Sequence, residues 1–155
     1  MISLIVAVDM NGCIGLNGKM PWHIKEELKH FKDYTWGKKV LIGRTTFQGL
    51  NKPLENRYHY LLTTHDIQIE NGEIVTNLDH LINKYKDNEE ELVVIGGAQV
   101  YKSVLDCVDK MIISVIQDEY KGDTYFPSFD VNKFKLESIN THEKFIVYTL
   151  VRKEN

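Results

Sequence analysis

The sequence predicts an α/β fold, a single mixed, mainly parallel eight-stranded sheet with about four flanking helices and a C-terminal antiparallel hairpin. Residues 2–8, 39–43 and 92–95 are short, nearly unbroken apolar runs of the kind found in strands covered on both faces. Apolar residues at helical spacing separate these runs: Ile24, Leu28 and Phe31, then Leu78, Leu81, Ile82 and Tyr85. Two alternating segments, 134–140 and 145–151, close the chain around a polar turn.

The chain has 155 residues, 43% hydrophobic and 26% charged, which suits one domain over residues 1–155. It contains no internal repeat, low-complexity tract or linker. A net charge of -3, with lysines scattered among acids, argues against nucleic acid as a partner. Cys13 and Cys107 form no C-x-x-C pair and the six histidines show no ligand spacing, so neither a metal nor a disulfide framework is expected. The opening apolar run ends at Asp9, has no basic leader and is too short to span a membrane. It reads as a buried strand of a cytoplasmic protein, expected to be a monomer.

Taken in order, the first strand is followed by residues 9–23, which carry Gly12, Gly15 and Gly18 and read as a long mobile connection without a regular element. Pro21 bars helix just before Trp22, so the first helix is expected over residues 24–34. A second strand at 39–43 leads through Gly43 and Arg44 into a short helix capped by Thr45 or Thr46. Residues 58–63 form a third strand, Asn71-Gly72 a turn and residues 73–75 a short strand before the helix carried by Leu78 to Tyr85. The strand at 92–95 runs into Gly96-Gly97 and a helix over residues 98–105, and 111–116 is a further strand. Residues 122–127 are a turn-rich loop.

Glu27 breaks this pattern. It falls within the apolar stripe between Ile24 and Phe31, while Glu26 points to the opposite face. A carboxylate aimed at the core is costly unless a protein partner or a ligand hydrogen-bonds to it. The helix alone leaves a structural ion pair and a ligand site equally open. The strand ends add weight, because ligands of open α/β sheets bind beyond the carboxyl ends of the strands. Those ends are Asp9, Gly43-Arg44, Thr63-Thr64-His65 and Gly96-Gly97, and the last three have the composition of phosphate cradles. Together they point to a phosphate-bearing cofactor beside an apolar pocket with one acid at its base.

The chain resembles dihydrofolate reductase from end to end. The resemblance rests on M-I-S-L-I-V-A at the start, I-G-L-N-G-K-M-P-W up to Trp22 and Glu27 with Leu28 and Phe31. It continues through V-L-I-G-R-T-T-F from Val40, P-L with Arg57, V-I-G-G-A-Q-V-Y from Val94 and G-D-T-Y-F-P from Gly122. It implies NADPH-dependent reduction of 7,8-dihydrofolate to tetrahydrofolate for one-carbon metabolism, with hydride reaching pterin C6 and a proton N5. Glu27 then corresponds to the pocket acid that holds the pterin N3 and 2-amino edge, its pKa raised by burial. Trp22 would position a water beside it, Ser114 would bond to it, and Tyr101 would lie near both reacting rings.

The same resemblance implies a substrate pocket formed by Ile5, Val6, Ala7, Leu28 and Phe31, with Leu50, Leu54 and Ile95 opposite. Arg57 would pair with the glutamyl α-carboxylate, a task for a planar guanidinium fork. For NADPH, it implies that Ala7, Ile14, Gly15 and Gly49 border the nicotinamide, with Tyr101 nearby. Thr46 and the stretch Gly96, Gly97, Ala98 and Gln99 take the pyrophosphate, with a cis peptide at Gly96-Gly97, and Arg44, Thr64 and His65 surround the 2′-phosphate. Gly43, Thr45, Thr63 and Val100 are further cofactor-binding residues. Antifolate inhibitors are implied as further ligands. Glutamate replaces the aspartate of many bacterial members, Gln99 stands where some have arginine, and Gly49 and Asn51 replace the commoner serine and glycine. Two other readings share features: a pyrimidine reductase of riboflavin synthesis, against which M-P-W, Glu27 and Arg57 argue, and a non-catalytic NADPH-binding module.

Overall fold

The structure, a computed structural model, describes residues 1–50 and 52–154; Asn51 lies outside the described residues, as does Asn155. The central strand β1 (Ile2–Val8) is buried along its whole length. After it come β2 (Cys13–Gly15), α1 (Lys25–Thr35), β3 (Lys39–Gly43), α2 (Arg44–Gln48), β4 (Tyr58–Leu62) and β5 (Gly72–Val75). The chain continues with α3 (Leu78–Lys86), β6 (Leu92–Gly96), α4 (Ala98–Val104), β7 (Lys110–Ile116), β8 (Thr124–Tyr125), a 3-10 turn (Val131–Lys133), β9 (Phe134–Thr141) and β10 (Phe145–Arg152).

Eight strands form one sheet in the order β5-β4-β3-β6-β1-β7-β10-β9. The pairs from β5 to β7 are parallel, whereas β10 runs antiparallel to both β7 and β9. The closing hairpin thus completes an otherwise parallel sheet, as the sequence predicts. Among the described residues no helix is long and apolar enough to cross a membrane.

The two-residue period of β1 divides the core. Leu4, Val6 and Val8 point to the face covered by α3 and α4, where they join Leu81, Tyr85 and Val104. Ile5 and Ala7 point to the other face, with Trp22, Ile95, Phe31, Leu50 and Leu54. The side chain of Val6 therefore leaves the face that the resemblance assigns to the substrate pocket.

Three local expectations are corrected. Residues 9–23 include β2, which pairs with β8 inside the expected loop 122–127. Strands of three and two residues are too short to leave a periodic signal, and their pairing is a tertiary event. It depends on a close approach, because a Cβ on Gly122 would overlap Cys13 Sγ and come within 2.6 Å of the Gly15 carbonyl. Thr45 and Thr46 lie inside α2, and Gly43 is the N-cap, with no side-chain cap bond. Gly72 opens β5 rather than completing a turn, while Asn71 takes the left-handed backbone at φ 54.

Gly122→Ala is expected to force β8 away from β2 and lower stability by about 1–3 kcal/mol. Thermal unfolding measures the loss, and an unchanged midpoint would mean that the two loops yield freely.

Candidate active site

Helix α1 starts after Pro21, with Glu26 and Glu27 in its first turn, where acids suit the helix dipole. The two side chains it buries fully, Glu27 and Thr35, are both polar. Glu27 is 4% exposed, lies on the stripe whose ends Ile24 and Phe31 pack into the cluster of Ile5 and Ala7, and has no protein partner among the described residues. Burial with no compensating hydrogen bond pushes its carboxyl up to about 7.

Tyr101 reaches this neighbourhood from α4. Its hydroxyl donates to the Ile5 carbonyl at 2.8 Å, and burial, with the nearby Glu27 charge, pushes its phenol up, so that it stays protonated. Trp22 packs against Tyr120 with ring centroids 5.3 Å apart, and its Nε1 is buried without a partner. Ser114, opposite Ala7 in the sheet, has an equally unpartnered buried Oγ. The expected Ser114–Glu27 bond is thus not made. Both groups keep their full hydrogen-bonding capacity for a ligand, and two buried orphans of this kind in one core are unusual without one.

At the carboxyl ends of β3 and β6, glycines bring backbone together. A Cβ on Gly43 would lie 2.9 Å from Val100 Cγ2, and one on Gly97 would lie 2.8 Å from Thr46 Oγ1. The Gly96–Gly97 peptide is cis, and Gly96 has φ 122. Helices α2 and α4 begin at this point, with Thr46 in the first and Ala98, Gln99 and Val100 in the second. The glycines let the two strand ends and their helices pack closely, and the free N–H groups of two adjoining helix starts fit a pyrophosphate. Arg44 opens α2 and borders a cavity of about 240 Å³ with Phe47 and Leu50. At the neighbouring strand end Thr63 is buried and accepts a bond from the His65 N–H, while Thr64 and His65 are exposed, as are Thr45 and Gln99.

The loop after β1 is tied at both ends. Buried Asp9 accepts the N–H groups of Asn11 and Cys13 through one oxygen and that of Tyr120 through the other, each at 2.8 Å. Burial works to raise its pKa, but the N–H groups of Tyr120, Cys13, Asn11 and Gly12 outweigh it and hold the carboxyl below its ordinary value. Further out, Asp123 accepts the Asn17 N–H at 3.0 Å while its own N–H donates to Gly15. The loop tip reaches α2, where a Cβ on Gly49 would come within 3.7 Å of the Gly18 carbonyl. Ile14 is half-buried and turns toward the α4 face of the core. Sequence reasoning missed Asp9 and Asp123. The signal for the first was present, since an aspartate at a strand end two residues before Asn11-Gly12 suits an Asx-turn, its carboxylate bonding the backbone two residues on.

Arg57 is 5% exposed, and burial pulls its pKa down against the opposing charge of Glu55. It stays charged nonetheless. Its Nη1 donates to Thr35 Oγ1 at 3.4 Å and to the Lys32 carbonyl at 3.5 Å, and Nε is buried with no partner. Leu54 is fixed beside it, because its N–H donates to Nε2 of buried His59 at 3.1 Å. The structure brings Ile5, Ala7, Phe31, Leu50, Leu54 and Ile95 into one apolar cluster, and Leu28 is half-buried on α1.

The family model described as "Dihydrofolate reductase" matches residues 1–150. A dihydrofolate reductase of Bacillus subtilis (strain 168) is 36% identical over 139 residues, which span 89% of this chain and 82% of the relative. One from Haemophilus influenzae is 34% identical over 135 residues, covering 87% of this chain and 84% of that one. Among solved structures, dihydrofolate reductase from Enterococcus faecalis, complexed with NADP(H) and RAB-propyl, superposes with a TM-score of 0.90 at 30% identity, covering 99% of this chain and 97% of the other.

Proposed function

The chain belongs to the dihydrofolate reductase family, and from that premise we propose how its own residues reduce 7,8-dihydrofolate to tetrahydrofolate with NADPH. The observation that carries this reading is Glu27, a buried acid without a protein partner beside an apolar cluster and a glycine cradle. When bound, NADPH supplies the hydride that reaches pterin C6. All other steps fall to protein groups.

Glu27 accepts two parallel hydrogen bonds from the pterin N3 and 2-amino edge, which fixes the ring and its face. Its carboxyl, pushed up to about 7 by burial, takes a proton from solvent and relays it through water toward N5, returning to the carboxylate that accepts both bonds. Trp22 Nε1 and Ser114 Oγ, both buried without a partner, hold water and ring polar atoms beside it. Tyr101, anchored on Ile5, closes the pocket where the two rings meet. Ile5, Ala7, Leu28, Phe31, Leu50, Leu54 and Ile95 sandwich the substrate, Val6 contributes through its backbone, and Arg57 takes the glutamyl carboxylate.

Gly43, Thr45, Thr46 and the stretch from Gly96 to Val100 take the pyrophosphate. Ala7, Ile14, Gly15 and Gly49 border the nicotinamide, and Arg44, Thr63, Thr64 and His65 the 2′-phosphate. The loop carrying Asn17 and Gly18, clasped by Asp123, excludes water from the rings. Antifolates presenting the same edge to Glu27 are expected ligands. We read residues 1–155 as one domain of a cytoplasmic monomer with no nucleic-acid or membrane partner.

Loss of NADPH absorbance on adding dihydrofolate tests the activity, with a deaminated pyrimidine precursor of riboflavin synthesis as control. Cofactor binding without oxidation would overturn it. Arg44→Ala is expected to weaken NADPH about tenfold while leaving NADH within about twofold, the cost of one charge-assisted hydrogen bond. Equal losses in a fluorescence titration would remove the phosphate role from Arg44.

A further inference from the structure

Helix α1 ends at Trp36, which leaves the helical path at φ -56, ψ 128, and Gly37 turns the chain at φ 73. The Gly37 N–H donates to the Asn56 carbonyl and the Tyr58 N–H to the Lys38 carbonyl, so the helix exit lies beside the approach to β4. That juxtaposition sets Trp36 against Arg57. The indole is 43% exposed and belongs to neither apolar cluster, so packing does not account for it. Two cations lie over its ring: Arg57 Cζ is 5.3 Å from the ring centroid and Lys32 Nζ 5.4 Å.

The other restraints on Arg57 are loose. Its two hydrogen bonds, at 3.4 and 3.5 Å, are long, and both use Nη1. Both are made at one nitrogen, so they anchor one corner of the guanidinium and leave the tilt of its plane to other contacts. A ring face supplies such a contact, since it attracts the cation and stacks on it without occupying its N–H groups. A hydrogen-bonding partner would have used the donors that a carboxylate needs.

We propose that Trp36 is a positioning residue for the substrate's carboxylate tail: the indole holds the plane of Arg57 and keeps Lys32 beside it, so that the fork is presented ready-formed. This rests on the reading of Arg57 as the carboxylate partner. It makes the exposed tryptophan a determinant of selectivity for dihydropterins with an anionic tail over those without one.

The test is steady-state kinetics of the full chain with two substrates, dihydrofolate and 6-methyl-7,8-dihydropterin, which has no carboxylate. Trp36→Ala and Trp36→Leu are expected to raise KM for dihydrofolate about threefold to tenfold with kcat unchanged, and to leave kcat/KM for the tailless substrate unaltered. Trp36→Tyr, which keeps an aromatic face, restores the KM. Calorimetric binding of folate should weaken by the same factor as KM rises. In an Arg57→Ala background Trp36→Ala should change nothing further, because it acts through that arginine. Equal losses with both substrates, or a fall in kcat at constant KM, would overturn the positioning role. If Arg57→Ala raises KM for dihydrofolate and Trp36→Ala does not, this proposal alone fails; if Arg57→Ala leaves that KM unchanged, the carboxylate reading fails with it.

Discussion

Glu27→Gln is expected to lower kcat for dihydrofolate by about two to three orders of magnitude at pH 7, with NADPH affinity within about twofold of wild type. Glutamine keeps the length and nearly the shape of the side chain, so packing beside Ile5 and Phe31 is preserved. It loses the second acceptor oxygen and the proton. The wild-type profile should fall as pH rises through about 7, where burial has moved the carboxyl. The variant should lack that step and gain activity as pH is lowered, because protons from solvent replace the missing acid.

Stability carries an independent signature. The folded pKa of about 7 lies above the ordinary glutamate value of 4.5, so the folded state binds the proton more firmly than the unfolded chain. The folded state is therefore favoured below pH 4.5, and that advantage is lost as pH rises from there through about 7, by on the order of 3 kcal/mol. Glutamine has no such dependence, so the variant should gain on wild type over that window in denaturant titrations. Parallel loss of turnover and NADPH binding would make Glu27 a structural residue.

Arg57→Leu is expected to raise KM for dihydrofolate about a hundredfold with kcat within a few-fold. The pair proposed between it and the substrate carboxylate would be buried with it, and truncating one partner of such a pair costs about 2–5 kcal/mol. The contact is remote from the reacting carbon and is made equally in ground and transition states, so it acts on KM. Arg57→Lys should recover only part of the loss, because an ammonium cannot make two parallel bonds. The thermal midpoint is the control, since Arg57 also ties Thr35 to the approach to β4. A lower kcat at constant KM would remove Arg57 from the carboxylate site.

The sheet and helices were legible because each element carries its own periodicity. Continuous apolar runs gave β1, β3 and β6, and a 3.6-residue stripe gave α1 with Glu27 out of place on it. The order of strands was not legible, because the insertion of β6 between β3 and β1 depends on contacts between residues about fifty to ninety apart in sequence. Neither was the pairing of β2 with β8, which Gly122 permits by having no side chain. For Ser114, resemblance supplied a partner that the backbone does not deliver, since its hydroxyl makes no bond to Glu27. Trp36 escaped because an aromatic residue at a helix end looks like packing until two cations are found over its ring.

The division of β1 has a consequence for how the chain can vary over evolution. Ile5 and Ala7 belong to the cluster with Phe31 and Ile95, Leu4, Val6 and Val8 to the opposite core, and their assignment depends on the parity of their position. Conservative replacement at any of these positions changes only size. Gain or loss of one residue upstream within the strand would exchange the two sets, giving the pocket the core's side chains and the core the pocket's. Length changes are therefore tolerated at the turns between elements, and the N-terminal strand is held to a fixed length even where its residues are interchangeable.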